Sequence, residues 1–243
     1  RQMGIRNSSS IIDNLSSQIT KASTDTNHEQ DNSKFNDDVN LDNSVPNSID
    51  INLHPNSNLD EHKIIQPPVC IDCGAHAGLI TDIILFCGGM SYAFEPNIYL
   101  YNILQSKYDN NQNVILSQTA VSNKFHKTEF LMDCGGIFSQ GNRIVESIDS
   151  TYGMHEVQVV DLSKIIEKYI LPKHKRIYFL KLDVEGAEFD IMDSILQKGL
   201  YKHIDYIACE THERFFSDGE AKIKKLRDSI KSHRADNVLL DWI

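Results

Sequence analysis

The chain has 243 residues, 40% of them hydrophobic, and a formal net charge of −10 at pH 7. That length allows one ordinary domain with a real core, together with a tail. The acidic balance argues against nucleic acid as a general partner, because it repels phosphate backbones, and no apolar run approaches the length of a membrane helix.

The first residue is Arg1 rather than Met, so we expect the natural start to lie upstream, with any targeting segment it carries. Residues 1–60 are rich in Asn, Ser and Asp, as in the stretch TDTNHEQDNSKFNDDVNLDNS. Apolar residues are too sparse there to offset the entropy of ordering the chain, which predicts a disordered tail before a folded domain over 61–243.

The cysteines are five in number and irregularly spaced, and four of them lie in or beside apolar runs. Buried, reduced thiols are therefore expected, which indicates a reducing compartment such as the cytoplasm.

From residue 61 onward, short apolar runs alternate with longer amphipathic ones. The runs predict strands over 69–72, 90–95, 114–120, 177–183, 206–210 and 237–242. The amphipathic segments predict helices over 79–86, 98–110, 162–169, 189–196 and 221–232. Extra β-segments over 125–132 and 157–160 flank a glycine-rich loop. This alternation is typical of an α/β fold with a mostly parallel sheet and helices on both faces.

Glycines follow the first predicted strand, in VCIDCGAHAG, and an acid follows the second, in YAFEP. Gly74 permits a tight turn and close approach of a ligand, and free amides at the next helix start attract a carboxylate or phosphate. Glu95, about twenty residues on, is placed to accept hydrogen bonds from a ribose diol. Each feature alone has a plainer reading, a strand–helix turn or a solvated carboxylate, but together they predict a nucleoside cofactor.

The spacing of the glycines favours one kind of nucleoside cofactor. The loop is G-x-x-x-G rather than the G-x-G-x-x-G of pyrophosphate binders, which disfavours a nicotinamide oxidoreductase. It leaves S-adenosylmethionine, whose charged end is an amino acid.

Five segments in order, VCIDCGAHAGLIT, YAFEPN, SQTAVSN, VVDLSKII and FLKLDVEGAEFDIM, resemble the FkbM family of S-adenosylmethionine-dependent methyltransferases. The resemblance extends from about residue 69 to the end of the chain, and DVEGAE is its most specific part. His76 departs from the pattern, since the family usually carries Asn there.

The resemblance implies the class I methyltransferase fold, which is Rossmann-like. It also implies a hydroxyl acceptor on a small molecule or a sugar. It places the following residues at the methionine end of the cofactor: Asp72, Gly74, Ala75, His76 and Gly78. Glu95 would hold the ribose, and Thr119 and Ala120 would lie near adenine. Asn97 either contacts that edge or only caps the following helix.

Acids follow the fourth and fifth predicted strands, and they should be neighbours at the open end of the sheet. A hydroxyl acceptor needs a base within reach or a divalent metal that lowers its pKa. His212 and Asp183 are the first candidates for the base. Glu185 has catalysis and helix capping as equal alternatives, whereas Glu188 is expected to be structural.

A divalent metal such as magnesium would suit the oxygen-rich group, with Asp183 and Glu210 as its first candidate ligands. Lys181 is unusual within a central strand and is expected to pair with Asp183 or Glu210. The loop DCGGIFSQGNRIVES is either a lid, with Arg143 contacting the substrate, or a bare hairpin. An alternative function is a catalytically idle module that binds the cofactor and whose tail recruits a partner.

Overall fold

The computed structural model describes residues 66–131, 143–145 and 154–240. The predicted tail, most of the glycine-rich loop and residues 241–243, which include the end of the strand predicted over 237–242, lie outside the described residues.

The elements are, in chain order, β1 (Val69–Cys73), α1 (Leu79–Phe86), β2 (Met90–Phe94), α2 (Ile98–Lys107), β3 (Val114–Ser117), β4 (Ala120–Ser122), β5 (His126–Leu131), β6 (Arg143–Val145), β7 (Met154–Asp161), α3 (Leu162–Ile165), α4 (Leu171–His174), β8 (Ile177–Leu182), α5 (Glu188–Gln197), β9 (Ile204–Cys209), α6 (Gly219–His233) and β10 (Val238–Leu239). A π-helical turn, Ile166–Ile170, joins α3 to α4, and 3-10 turns cover Leu200–His203 and Glu213–Phe215.

The main sheet has six strands in the order β10-β9-β8-β1-β2-β3, and every neighbouring pair is parallel. Crossover connections in parallel sheets are right-handed, so α1 and α2 cover one face while α5 and α6 cover the other. All residues of β1 and β2 are buried, as expected for strands covered on both sides. The predicted α/β fold with a mostly parallel sheet is confirmed.

A second sheet of four strands has the order β4-β7-β5-β6. The predicted strand over 114–120 is in fact two strands, since β3 ends at Ser117 and Ala120 begins β4 in this second sheet. The hydroxyls of Ser117 and Thr119 hydrogen-bond across the break at 3.0 Å. The predicted β-segments at 125–132 and 157–160 correspond to β5 and to part of β7.

The helical segment before β8 extends beyond its predicted end at 169. It continues through the π-helical turn into α4, where Pro172 lies in the first turn. Proline is tolerated there because its missing N–H falls where the hydrogen-bond ladder is already interrupted.

The core is an apolar layer between the main sheet and the helices α3, α5 and α6. Its largest fully buried members include Tyr92, Phe94, Leu162, Ile166 and Leu180. Three of the four cysteines in the described ranges are buried, and all four are free thiols. Within those ranges, no helix combines the length and the apolarity that crossing a membrane requires.

Candidate active site

The winding of the main sheet reverses between β1 and β8. From β1 the chain proceeds to β2 and β3 on one side, and from β8 it proceeds to β9 and β10 on the other. In open parallel sheets, ligands bind at the carboxyl ends of the strands beside such a reversal. The residues that follow β1, β2, β8 and β9 are therefore the candidates for a site.

The loop after β1 is held against the ends of both neighbouring strands. The backbone N–H groups of Gly74 and Ala75 donate to the carbonyl oxygen of Phe94, each at 3.0 Å. Gly74 has a φ of 77°, and a Cβ atom there would lie 1.9 Å from the carbonyl oxygen of Asp183. Glycine is required at this position both by the left-handed backbone and by the close approach of the chain beyond β8.

Gly78 is required by helix packing. Its φ is 85°, and a Cβ atom would lie 2.4 Å from the hydroxyl oxygen of Tyr108. That hydroxyl donates to the carbonyl oxygen of Gly78 at 2.9 Å and also lies 2.8 Å from Oδ1 of Asp82. The end of α2 is thereby joined to the start of α1. Ala75 is buried beside Leu104 of α2 in the same small cluster.

His76 adopts a left-handed conformation with a φ of 49°. Asn, Asp and His adopt this conformation more readily than other residues with side chains. Its exchange for the Asn of the family pattern therefore suits the backbone of the loop. The backbone N–H of His76 donates to Oε2 of Glu95 at 2.7 Å.

Glu95 is a buried carboxylate that faces the glycine loop. Only 4% of the residue is exposed, and Oε1 accepts a second hydrogen bond from the backbone N–H of Asn97 at 2.8 Å. Burial raises the pKa of Glu95 to about 7, against the opposing effect of these two amides. The ends of β1 and β2 are thus connected through one acid whose ionisation is balanced near neutral pH.

The side chain of Asn97 caps α2. Its Oδ1 accepts hydrogen bonds from the backbone N–H groups of Tyr99 at 3.0 Å and Leu100 at 3.4 Å. Of the two roles expected for Asn97, the structure therefore shows capping. Thr119 and Ala120 are both buried; Thr119 lies between β3 and β4 with its hydroxyl 3.0 Å from that of Ser117, and Ala120 is the first residue of β4.

Lys181 of β8 connects the glycine loop to the acids beyond β8. Its Nζ donates to the carbonyl oxygen of Gly74 at 2.5 Å and lies 3.3 Å from Oδ2 of Asp183 and 3.5 Å from Oδ1 of Asp72. Burial alone would lower the pKa of Lys181, but the two carboxylates outweigh it and raise the pKa. The expected pair with Asp183 is present. Asp72 is fully buried, and its Oδ2 accepts from the Thr81 hydroxyl at 2.8 Å.

The acids beyond β8 and β9 surround one buried imidazole, that of His212, and the group is called here the acid–histidine cluster (Asp183, Glu185, Glu188, Glu210 and His212). Nε2 of His212 lies 3.1 Å from Oε2 of Glu185, 3.8 Å from Oδ1 of Asp183 and 3.7 Å from Oε1 of Glu210. The three residues predicted to act in catalysis are thus brought together.

Glu185 reaches this cluster from a strained backbone. Its φ is 59°, and the following Gly186 has a φ of 122°. Such strain in a residue with a side chain is characteristic of functional sites. The capping alternative for Glu185 is not what the structure shows, because its carboxylate lies against His212.

Glu188 has the structural role expected of it: it positions both the imidazole of His212 and the strained turn at Glu185. Its Oε1 lies 2.8 Å from Nδ1 of His212, and its two oxygens accept from the backbone N–H groups of Val184 at 3.0 Å and Gly186 at 2.9 Å. Phe215 stacks on the imidazole with ring centroids 5.5 Å apart. Spacing along the sequence does not predict these contacts; its one signal is that Glu188 and His212 follow neighbouring strands.

The pKa of His212 reflects the surrounding acids. Burial alone would lower it, but the carboxylates of Glu185 and Glu188 raise it to about 10. These acids stabilise the protonated imidazole, which disfavours His212 as a base. A carboxylate is then the better candidate for a base. Burial and the neighbouring Asp183 also raise the pKa of Glu210.

The glycine-rich loop connects β5 to β6, which pair antiparallel from Leu131 and Arg143 to Glu129 and Val145. Its described ends therefore form a hairpin. The lid alternative concerns residues 132–142, which lie outside the described residues.

Comparison with known proteins identifies one family. The profile of the Methyltransferase FkbM domain matches residues 72–236, which is well over half of the chain. Searches of curated proteins and of solved structures returned no significant match. The matched range contains the glycine loop, Glu95 and the whole acid–histidine cluster. The chain therefore belongs to the FkbM methyltransferase family.

Proposed function

We propose that this protein transfers a methyl group from S-adenosylmethionine to a hydroxyl group of a small molecule or a sugar. The observation that carries the proposal is the hydrogen bond from the His76 amide to Glu95, which sets a buried carboxylate beside the glycine loop. Two amides occupy two of the roughly four lone-pair positions of that carboxylate. The remaining positions suit the two hydroxyls of a ribose.

The other proposed contacts follow from the same placement. The amino-acid end of the cofactor would lie along Gly74, Ala75, His76 and Gly78, and the adenine along Thr119 and Ala120. Asp72 would hold the loop in place from below, because its buried carboxylate pairs with Lys181 and accepts a hydrogen bond from the Thr81 hydroxyl. We assign this function to a domain over residues 61–243.

S-adenosylmethionine, when bound, supplies an electrophilic methyl group on a sulfonium, so the protein has to align the acceptor and remove its proton. We assign the role of general base to Asp183. Its carboxylate is partly exposed and is oriented by Lys181 on one side and His212 on the other. Asp183 would take the proton of the acceptor hydroxyl, and the sulfonium would supply the methyl group and keep the electron pair of its C–S bond. His212 and Glu185 would orient the acceptor.

The test is calorimetry of the full chain with S-adenosylmethionine. We expect saturable binding to the native protein and at least tenfold weaker binding to Glu95→Ala, because the ribose loses a charged acceptor. Glu220→Ala is the matched control, since Glu220 is an exposed acid in the first turn of α6. No heat at millimolar cofactor, or equal affinities for the two variants, would contradict the proposal.

Methyl transfer is then measured with a panel of hydroxyl compounds and sugars and cofactor labelled in its methyl group. Cofactor binding without transfer to any acceptor would favour the alternative of an idle module. Activity of the native protein that is lost in Asp183→Asn, with cofactor affinity retained, would support a part for Asp183 in the transfer step rather than in cofactor binding.

A further inference from the structure

Three side chains of the acid–histidine cluster present ligand atoms to one common point. One ligand atom each of Asp183, Glu185 and His212 lies within 4.8 Å of the others. Nε2 of His212 is 3.1 Å from Oε2 of Glu185 and 3.8 Å from Oδ1 of Asp183. Ligand atoms held at about 2.1 Å from one metal ion are about 3 to 3.5 Å apart. The cluster is therefore close to the spacing of a coordination shell.

The imidazole has a buried polar atom that the described residues do not satisfy. His212 is 1% exposed, and its Nε2 has no hydrogen-bond partner of suitable geometry among the described residues. Oε2 of Glu185 likewise has no hydrogen-bond partner among the described residues, although it lies 3.1 Å from Nε2 of His212 and 3.7 Å from Nη2 of the exposed Arg214. A buried polar atom without a partner is costly, so this pair of atoms points to a ligand between them.

The opposite side of the imidazole is already fixed. Nδ1 lies 2.8 Å from Oε1 of Glu188, which is itself fully buried and bonded to two backbone amides. A carboxylate at one imidazole nitrogen orients the other nitrogen towards a metal, an arrangement that recurs around metal-binding histidines. The stacked ring of Phe215 restricts rotation of the imidazole further.

We propose that Asp183, Glu185 and His212 bind one divalent first-row metal ion such as Mn²⁺, which takes the place of a proton on Nε2 of His212, with Glu188 positioning the imidazole. Glu210 lies at the edge of this site, with Oε1 3.7 Å from Nε2 of His212. The histidine changes the expected metal, because a mixed nitrogen and oxygen donor set suits Mn²⁺, Fe²⁺ or Zn²⁺ better than Mg²⁺. Three protein ligands leave coordination positions open.

The role of this metal rests on the proposed function. An open position could take the acceptor hydroxyl and increase its acidity, at the same strand ends where the methyl group would be presented. Binding of the metal itself does not depend on the acceptor or on S-adenosylmethionine, so it can be tested separately.

The experiment uses the full chain, stripped with a chelator and titrated with MnCl₂, while the signal of free Mn²⁺ is followed by electron paramagnetic resonance. We expect one Mn²⁺ per chain, retained in the presence of equimolar Mg²⁺. Glu185→Gln and Asp183→Asn should each weaken binding by at least tenfold. Glu188→Gln should weaken it by about 10- to 100-fold through loss of orientation.

Glu213→Gln is the matched control. Glu213 follows His212 directly, but its carboxylate accepts from the Thr211 hydroxyl at 2.9 Å, and the variant should bind Mn²⁺ as the native protein does. Thermal unfolding of every variant identifies those that fail to fold. Because the two ligands Glu185 and Asp183 are substituted separately, one folded variant is enough to test the site.

Two outcomes would overturn the metal site: no stoichiometric Mn²⁺ in the native protein, or equal affinity in the ligand variants and the control. The cluster would then be ionic only, with His212 as its cation. Calorimetry with S-adenosylmethionine on the same samples separates the two proposals. Cofactor binding without Mn²⁺ binding rejects the metal site alone, and Mn²⁺ binding without cofactor binding rejects the proposed function alone.

Discussion

At the scale of single residues, Glu95 is a carboxylate that the fold buries and then compensates with two backbone hydrogen bonds. The compensation is incomplete, because burial still raises the pKa of Glu95 to about 7. The charged form is therefore the less favourable one below neutral pH. A ligand that donates hydrogen bonds to the carboxylate would restore the charged form.

We accordingly expect the affinity for S-adenosylmethionine to rise as the pH increases from about 6 to about 8. The ribose hydroxyls donate to the ionised carboxylate, so binding lowers the pKa of Glu95 and releases a proton. Below pH 7 the dissociation constant should fall by up to about tenfold per pH unit and should level off above it. Calorimetry in buffers of different ionisation enthalpy measures the released proton.

Glu95→Gln is the control for this pH dependence. It keeps the size of the side chain but cannot ionise, so its weaker binding should lack the part of the dependence that Glu95 contributes. Titration of the cofactor's own amino group remains in both proteins and cancels in the comparison. Identical pH profiles for the two proteins would show that Glu95 does not hold the ribose.

Gly74 and Gly88 provide a matched pair for measuring how closely the strand ends approach. Their φ values are 77° and 78°, but a Cβ atom at Gly88 meets nothing within 4 Å among the described residues, whereas one at Gly74 meets the carbonyl oxygen of Asp183. Gly88→Ala should cost about 1 kcal/mol for the left-handed backbone alone. Gly74→Ala should cost about 1–3 kcal/mol more from the clash.

Urea denaturation of the two glycine variants measures this difference in the free energy of unfolding. Equal losses would mean that the segment beyond β8 moves aside without cost. That result would contradict the rigid contact between the ends of β1 and β8 on which the site depends.

At the scale of elements, the sequence predicted strands where continuous apolar runs are bounded by polar residues. The strand expected over 69–72 is β1, one residue longer, and that expected over 177–183 is β8. These predictions succeed because strands covered on both faces are mostly apolar, even though Asp72 and Lys181 interrupt these two runs. The local pattern is then sufficient to identify them.

The same local pattern could not show that the run over 114–120 divides between two sheets. The polar residues Ser117, Gln118 and Thr119 lie at the break, but polar residues also occur within strands, and what separates β3 from β4 is the partner strand. Ser117 pairs with Phe94 of β2, whereas Ala120 pairs with Val159 of β7. That choice depends on residues distant in sequence, so periodicity over a few positions does not contain it. The extension of the helix beyond 169 depends likewise on packing against the core.

At the scale of the whole molecule, the rule that ligands bind at strand ends selected residues that the structure places near one another, because the ends of parallel strands meet at one edge of the sheet. The individual side-chain contacts could not be predicted from the sequence. The bond between Glu188 and His212 spans 24 residues, and the one between Lys181 and Gly74 spans 107. Gly78 was singled out for a ligand, yet its backbone carbonyl accepts from a tyrosine 30 residues away. Such contacts follow from the packed fold rather than from spacing.

The proposed domain over 61–243 leads to a last prediction. The buried core of the main sheet runs from Val69 to Ala235, so all of it lies within this range. A chain that starts at residue 61 should therefore unfold cooperatively, with a melting temperature within about 3 °C of the full chain, equivalent to about 1 kcal/mol. Calorimetric unfolding, with and without S-adenosylmethionine, measures both stability and retained binding.

A chain that starts at residue 74 is the control for this truncation. It lacks β1, which pairs with both β2 and β8 at the centre of the sheet, so it should show no cooperative transition. If the chain from residue 61 also lost its transition, or melted more than about 5 °C lower, residues 1–60 would have to contribute packing that the core does not account for. The boundary of the folded domain would then lie nearer to the start of the chain.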